Sequence, residues 1–256
     1  LIDRYTTSLT SKLDLNGRLH GGFNQAGTAT GRFSSSKPNL QNLPKPKPGK
    51  PSIRHAFIAR EDFVILDADY SQIELRILAH YSQDPNMCRI YAENGDIHGL
   101  TAALCGCTRD EAKIINFAIM YGMGAENIAQ KLKIPVAKAK EFMQRYNKQY
   151  AAVSDLRDLI VAGARKNGYV STLIGRRRYV PDIKSRDGDL RSYSERIAFN
   201  TPIQGSAADL IKVAMRNIHR RMIAEGWFRS RAYMLSQVHD ELIFEVQKDC
   251  APEFLQ

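Results

Sequence analysis

Two apolar stretches that read as strands lie far apart in this chain, and both end in acidic residues. The first, Phe63-Val-Ile-Leu-Asp-Ala-Asp69, has the continuous apolar run of a buried strand. The second runs from Ala232 to Val246 and reads as two strands meeting at His239-Asp240-Glu241. Between them, residues 96 to about 167 carry helical periodicity throughout. The order is therefore strand, helical block, strand pair, and the class is α+β. If the acidic tips act together, the two strand regions must meet in space.

Smaller signals fill in the rest. Ile73, Ile77, Leu78 and Tyr81 keep helical register and predict a helix over roughly 71–82. Pro135 suits the first turn of a helix and Gly168 a C-terminal stop. Tyr169 to Val180 reads as strand, turn at Gly175, strand, and two helices interrupted near Pro202 are predicted after it. Asn16-Gly17 between short alternating runs is a hairpin signal. Residues 34–51, rich in Ser, Pro, Lys and Gly, predict a loop or wrap with no regular element. There is no internal repeat and no clear linker.

Composition narrows the function classes. With 256 residues, 43% of them hydrophobic, the chain can bury one sizeable core or two subdomains sharing one. No run of about eighteen apolar residues exists, so no membrane-spanning helix is expected, and the first ten residues lack the pattern of a signal peptide. Lys and Arg number 37 against 27 acids, a net charge of +10 that favours a polyanionic partner. Four cysteines are too few and too scattered for a disulfide framework, and Cys105-Gly-Cys107 is spaced too tightly for a usual zinc site. A reduced, cytoplasmic setting is the expectation.

A carboxylate held at the end of a rigid apolar strand is a sound way to fix a hard cation. Mg²⁺ takes oxygen ligands and is usually held by one or two carboxylates, with phosphates and water completing its shell. Asp69 and Asp240 both have that placement. Two such ions about 4 Å apart can stabilise the attacking and leaving oxygens of a phosphoryl transfer. Either aspartate alone also fits a turn or cap. Asp67, two residues before Asp69 on the same strand face, shows how little one acid says.

Within the helical block, Arg109, Lys113, Phe117 and Tyr121 recur every four residues. Such a row drifts by only about 40° per step, so it stays on one helix face, two cations followed by two rings. The cations can neutralise a triphosphate and the rings can stack on a base and ribose. The spacing equally describes an amphipathic helix with its rings in the core and its cations in water.

The motifs in company decide between these readings. DYSQIELR (69–76), RDEAKIINFAIMYG (109–122) and QVHDE (237–241) are similar to the three signature motifs of family A DNA polymerases, in the right order. TGRFSS (30–35), PNLQN (38–42), GRRRYVP (175–181) and NTPIQGSAAD (200–209) also resemble that family, and the resemblance covers essentially the whole chain. It implies a right-hand polymerase fold, with an antiparallel palm sheet bearing the catalytic carboxylates and a helical fingers subdomain. The implied division is 1–95 end of thumb and first part of the palm, 96–185 fingers, and 186–256 second part of the palm. The rest of the thumb, an exonuclease domain and the C-terminal end of the family are expected to be missing, with poor processivity as the consequence.

Residue by residue, the resemblance makes Asp69, Asp240 and the backbone carbonyl of Tyr70 metal ligands for two Mg²⁺, with Mn²⁺ as a substitute. Glu241 becomes an accessory acid, and Lys113 a catalytic as well as a nucleotide-binding residue. Arg109, Lys113, Phe117, Tyr121, Glu74, His98 and Gln72 become the dNTP-binding set. Glu74 paired with Tyr121 would exclude a ribose 2′-hydroxyl, and Phe117 would discriminate against dideoxynucleotides. Arg32, Asn200, Gln204, His239 and Arg196 become contacts to primer-template DNA. The minor groove suits such contacts because it offers acceptors in similar places for every pair. Arg176-Arg-Arg178 fits a phosphate clamp or a solvated turn, and its role stays open. The implied activity is template-directed DNA synthesis by a monomer, in a bacterial cell or a virus-infected host. RNA-templated synthesis and a non-catalytic DNA-binding fragment are the alternatives. Three departures from the family stand out: only ten residues separate His98 from Arg109, Ala118 replaces a frequent Gly, and Phe33 a frequent Leu.

Overall fold

The computed structural model describes residues 7–44, 46 and 49–255; residues 45, 47 and 48 of the predicted loop, and residues 1–6 at the N-terminus, lie outside the described residues. The chain forms two compact units, one comprising Leu1–Ser71 and Ala208–Gln256, the other Gln72–Ala207.

The first unit is organised by a three-stranded antiparallel sheet with Glu241–Gln247 at its centre, flanked by Phe63–Asp69 and Ala232–Val238. The strand bounds match the apolar runs, because Val, Ile and Phe fit a pleated surface, but Phe63–Asp69, expected to be buried, is half-buried to exposed along its length. The central strand is the most buried: Leu242, Phe244 and Val246 are at most 2% exposed. At about 1.5–3 kcal/mol each, such side chains fix which face turns inward. Phe244 meets Phe254 edge-on, and Trp227 covers Phe254. On the other face Glu245 is also buried, an unusual place for a carboxylate. Arg60 satisfies it through its backbone N–H at 2.9 Å and its guanidinium at 2.6 Å, and Arg18 adds a bond at 3.2 Å. Burial works to raise the Glu245 pKa, but the Arg60 hydrogen bonds outweigh it and hold the carboxyl below the usual range.

The Asn16-Gly17 turn forms, with the Asp14 carbonyl accepting from Gly17 N–H and Gly17 at φ 71°. Pairing stops at a single Leu13–Leu19 bridge, since exposed Leu13 and Leu15 have no apolar face to drive a longer ladder. The predicted loop over 34–51 does contain one regular piece: Ser34–Ser36 pairs with Gly22–Asn24 in a two-stranded sheet. Backbone pairing, not side-chain pattern, makes that strand, so its serines carry no signal.

The second unit is mainly helical. Ile73–Ser82 and Pro85–Ala92 precede the block Ile97–Cys105, Arg109–Met120, Ala125–Leu132, Val136–Gln149 and Ala151–Asn167. Asp84 and Asp96 cap two of these starts, and Thr108 with Glu111 forms a reciprocal capping box at Arg109. Pro135 stands at the cap of its helix, one position before the predicted first turn, and Gly168 ends the last helix at φ 77°. The interior holds Met87, Ile97, Ile115, Ile128 and an edge-on pair of buried tyrosines, Tyr146 and Tyr150. Tyr169–Ser171 and Arg177–Tyr179 form the predicted hairpin over a cluster of Ala164, Val170, Val180, Ile183 and Ala198.

One expectation fails here. Gly188–Ala224 is a single helix with Pro202 inside it, where a break was predicted. Residues to Ala207 belong to the second unit and those from Ala208 to the first. An interior proline costs about 3 kcal/mol. Phe199, Ile203 and Ala207 around it are all nearly inaccessible, and that burial outweighs the lost bond. The Thr201 hydroxyl also donates to the Ile197 carbonyl at 2.7 Å, taking up a carbonyl next to the interruption.

Candidate active site

In the first unit the candidate acids are placed by backbone register. Asp69 ends its strand directly opposite Glu241, which begins the central strand. The Tyr70 N–H donates to the Asp240 carbonyl at 3.1 Å, tying the two strand ends together one residue further on. Asp69, Asp240 and Glu241 therefore share one end of the sheet, as the separated strand regions required. His239 and Asp240 form a two-residue turn between paired Val238 and Glu241. His239 adopts φ 54°, a region a non-glycine residue rarely occupies; such strain costs roughly 1–3 kcal/mol and clusters at functional positions. The Gln237 side chain donates to the His239 carbonyl, and Gln41 donates to Gln237, bracing the turn.

Two cations face these acids. Arg32 lies 3.8 Å from Asp240 and Arg54 lies 3.9 Å from Glu241. Asp69 and His239 are exposed, whereas Asp240 and Glu241 are partly buried. Arg32, Phe33, Lys212, Gln237 and His239 line a small crevice, with the Lys212 ammonium 4.6 Å from the centre of the Phe33 ring. The donor set at the sheet end is all oxygen, the chemistry a hard divalent cation takes. It is a two-carboxylate set with Glu241 beside it: no group of three or more His, Cys, Asp or Glu side chains with metal-holding geometry occurs among the described residues. Asp67 sits opposite Ile243, one pleat away from that end.

In the second unit the candidate residues are placed by side-chain contacts. The helix Arg109–Met120 buries Ala112, Ile115 and Ala118 and leaves the Arg109, Lys113, Phe117 row on its more exposed side. Phe117 and Tyr121 stack with centroids 6.1 Å apart, and the His98 ring lies 5.9 Å from that of Phe117. The Tyr121 hydroxyl donates to the Glu74 carboxylate at 2.6 Å, and Glu74 is only 4% exposed. Asn200 donates to the Tyr121 carbonyl at 3.3 Å. His98, Phe117, Tyr121, Glu74 and Asn200 thus form one connected group.

Arg109 extends that group through a fork to Asp96, Nε at 2.7 Å and a terminal nitrogen at 3.1 Å. The hydrogen bond lowers the Asp96 pKa and raises that of Arg109. Burial first, and then the charge of Arg109, lower the His98 pKa; Asp96 opposes them and Lys113 reinforces them. Gln72 is turned to a different partner, accepting from the Tyr91 hydroxyl at 3.1 Å. Arg196 donates to Ser192, and Gln204 is half-buried on the long helix.

Sequence reasoning passed over four residues that the structure brings to these groups. Asp96 pairs with Arg109, Arg54 lies beside Glu241, and Asn116 and Thr101 hydrogen-bond behind His98. A faint signal existed for two of them: Thr101 lies three residues after His98, and Asn116 sits inside the Arg109–Tyr121 segment. Neither spacing says that a side chain faces another helix.

Comparison with known proteins agrees with the resemblance in the motifs. The family model described as DNA polymerase family A matches residues 1–256. Among curated relatives, a thermostable DNA polymerase I of Thermus aquaticus is 47% identical over 244 residues, covering 92% of this chain and 29% of the relative. A DNA polymerase I of Geobacillus stearothermophilus is 46% identical over 245 residues, 92% of this chain and 28% of the relative. Among solved structures, the POL domain of Pol1 from M. smegmatis, in complex with DNA primer-template and dNTP, superposes with a TM-score of 0.91 at 39% identity. It covers 99% of this chain and 46% of that one. This chain therefore spans under a third of the length of the curated relatives it matches.

Proposed function

Because this chain belongs to DNA polymerase family A and has its right-hand α+β fold, we propose that it carries the chemical centre of template-directed DNA synthesis. The primer 3′-hydroxyl attacks the α-phosphorus of a dNTP and pyrophosphate leaves. The observation that carries this reading is the pinning of Asp69, Asp240 and Glu241 at one sheet end by the Asp69–Glu241 register and the Tyr70–Asp240 hydrogen bond. Asp69, Asp240 and the Tyr70 carbonyl would hold Mg²⁺, or Mn²⁺ in its place, with Glu241 as an accessory acid. When bound, two such ions stabilise the attacking and leaving oxygens.

The second unit supplies the nucleotide residues in this reading. Arg109 and Lys113 neutralise the triphosphate, His98 donates to its phosphates, and Phe117 and Tyr121 stack on base and sugar. The Tyr121–Glu74 hydrogen bond supports a steric bar to a 2′-hydroxyl, because a buried, bonded carboxylate leaves the ring no freedom to swing. It favours dNTPs over rNTPs. Gln72 is a weaker member of the set, since its side chain is already engaged by Tyr91. Arg32, Asn200, Gln204, His239 and Arg196 are proposed to contact primer-template DNA. Asn200 fits this best: its Oδ1 is buried and accepts no hydrogen bond among the described residues. In palm-and-fingers terms, the palm lies within 1–95 and 186–256 and the fingers within 96–185. No helix among the described residues is long and apolar enough to cross a membrane. The reading places a monomer at work on cytoplasmic DNA.

The test is single-nucleotide extension of a labelled DNA primer-template with Mg²⁺, comparing the chain with Asp69→Ala. Extension that the substitution abolishes is the expected result. A folded chain that binds primer-template with steep salt dependence but never extends it would overturn the catalytic reading and leave a DNA-binding module.

A further inference from the structure

Behind the His98 ring lies a buried polar chain that the nucleotide-binding reading does not use. His98 is 3% exposed, and its Nδ1 lies 2.8 Å from the Asn116 amide nitrogen. The Asn116 oxygen accepts from the Thr101 hydroxyl at 3.0 Å. Asn116 and Thr101 are both fully buried. Polar groups this deep are costly to leave unsatisfied, so the chain fixes its members' orientations.

A primary amide has one accepting end and one donating end. With its oxygen occupied by Thr101, Asn116 turns its NH₂ to the ring, and a ring nitrogen that accepts a hydrogen bond holds no proton. We propose that Asn116 is a positioning residue that holds His98 as the neutral imidazole with its proton on Nε2, so that the ring offers a fixed donor to phosphate oxygen. The proposal rests on the reading of His98 as a nucleotide contact. It is a hydrogen-bonding role: the ring contributes direction, while charge comes from Arg109 and Lys113.

The surroundings agree. Protonating Nδ1 would set donor against donor at Asn116. Arg109 and Lys113 on the neighbouring helix disfavour a third positive charge; Asp96, at the cap of the His98 helix, opposes them but is already bonded to Arg109. The Phe117 ring walls the imidazole on another side. Burial and these cations lower the ring's pKa below its ordinary value of about 6.5, so the neutral form prevails at neutral pH. Choosing which ring nitrogen carries the proton through a bond to the other one is how proteins usually set a histidine's role.

The tautomer can be read directly by long-range ¹H–¹⁵N correlation on the ¹⁵N-labelled chain, with His98 assigned through its nuclear Overhauser contacts to Phe117 and Asn116. The expected result at pH 7 is an unprotonated Nδ1 and a protonated Nε2. A protonated Nδ1, or an imidazolium, would overturn the proposal. Asn116→Asp places an acceptor where the donor was. It should pull a proton onto Nδ1 and raise the ring's pKa by at least about one unit, a tenfold change in protonation ratio. An unchanged ring in that variant also counts against the proposal. Thr101→Val offers a milder probe: without its anchor the amide can turn over, and a mixture of tautomers should appear. None of these readouts depends on catalysis. Titration with dATP and Mg²⁺ then addresses the parent reading, because an Nε2–H signal that saturating nucleotide leaves unmoved would remove His98 from the nucleotide site while the tautomer assignment stands.

Discussion

The two units hold their candidate residues by different means. At the sheet end, Asp69, Asp240 and Glu241 are located by main-chain pairing: their positions follow from register and from the Tyr70 N–H bond to the Asp240 carbonyl. On the helical unit, the side chains locate one another. Tyr121 is set by Glu74, His98 by Asn116, and Arg109 by Asp96. A group placed by backbone and exposed, as Asp69 is, can be replaced with little disturbance of its neighbours. A group placed by a buried partner cannot, because its loss strands that partner. Substitutions in the sheet unit should therefore separate chemistry from stability, and those in the helical unit should mix them.

Asp69→Ala is the sharpest case. The expected loss of extension rate is about 10³-fold or more, roughly 4 kcal/mol of barrier, if metal binding fails. Because Asp69 is exposed, the melting curve should move by less than about 0.5 kcal/mol. Parallel single-turnover rates and denaturant melts decide the matter, and a large loss of stability would break the contrast.

Glu245→Gln tests the same contrast from inside the sheet unit. Glu245 is buried and placed by Arg60 and Arg18, so here the sheet should behave as the helices do. Removing one partner of a buried pair costs about 3–5 kcal/mol, and the partial exposure of both arginines brings the expectation to about 2–3 kcal/mol. The rate per folded molecule should be unchanged. The Glu245 carboxyl is held below its unfolded value, so its contribution is present above that value, about 4.5, and drains away as pH falls through the lower folded one. A melt series should show the wild type losing its advantage over the variant below about pH 4.5. An advantage that persists there would mean that the packing of Glu245, not its charge, matters.

For the helical unit, Glu74→Gln should cost both ways. The charged acceptor for the Tyr121 hydroxyl is lost, at about 1.5–3 kcal/mol for a hydrogen bond to a charged group. Discrimination against rNTPs should fall by about 10- to 100-fold, measured as the ratio of dNTP to rNTP kcat/KM. Falling stability with intact discrimination would reduce the pair to a structural role.

The same difference explains what could be read in the sequence. The strands, the helical block and the Asp69–Asp240 meeting were legible, since period and apolar runs report main-chain structure and register follows from burial. The row Arg109, Lys113, Phe117, Tyr121 was legible for the same reason. The continuous helix through Pro202 was not, because its cause is the burial of Phe199 and Ile203 in tertiary structure. Nor were Asn116, Thr101 and Asp96: side-chain partners on different helices obey no spacing rule. Gln72 illustrates the limit, since its motif suggested nucleotide and its oxygen accepts from Tyr91.

The smallest effect is expected where a side-chain partner is exposed. Asp96 forks to Arg109 in water, where such a pair adds little to stability. Asn is as good a helix cap as Asp, so Asp96→Asn keeps the start of the His98 helix while releasing the arginine. If Asp96 competes with triphosphate for Arg109, the variant's KM for dNTP should fall by about two- to fivefold, and more at low salt, where exposed charges are screened least. If Asp96 instead holds Arg109 in its working pose, KM should rise. A fall would mean that the helical unit stores its cations against internal stand-ins for phosphate and exchanges them on binding. A rise would extend the rule of mutual placement from the buried pairs to the surface.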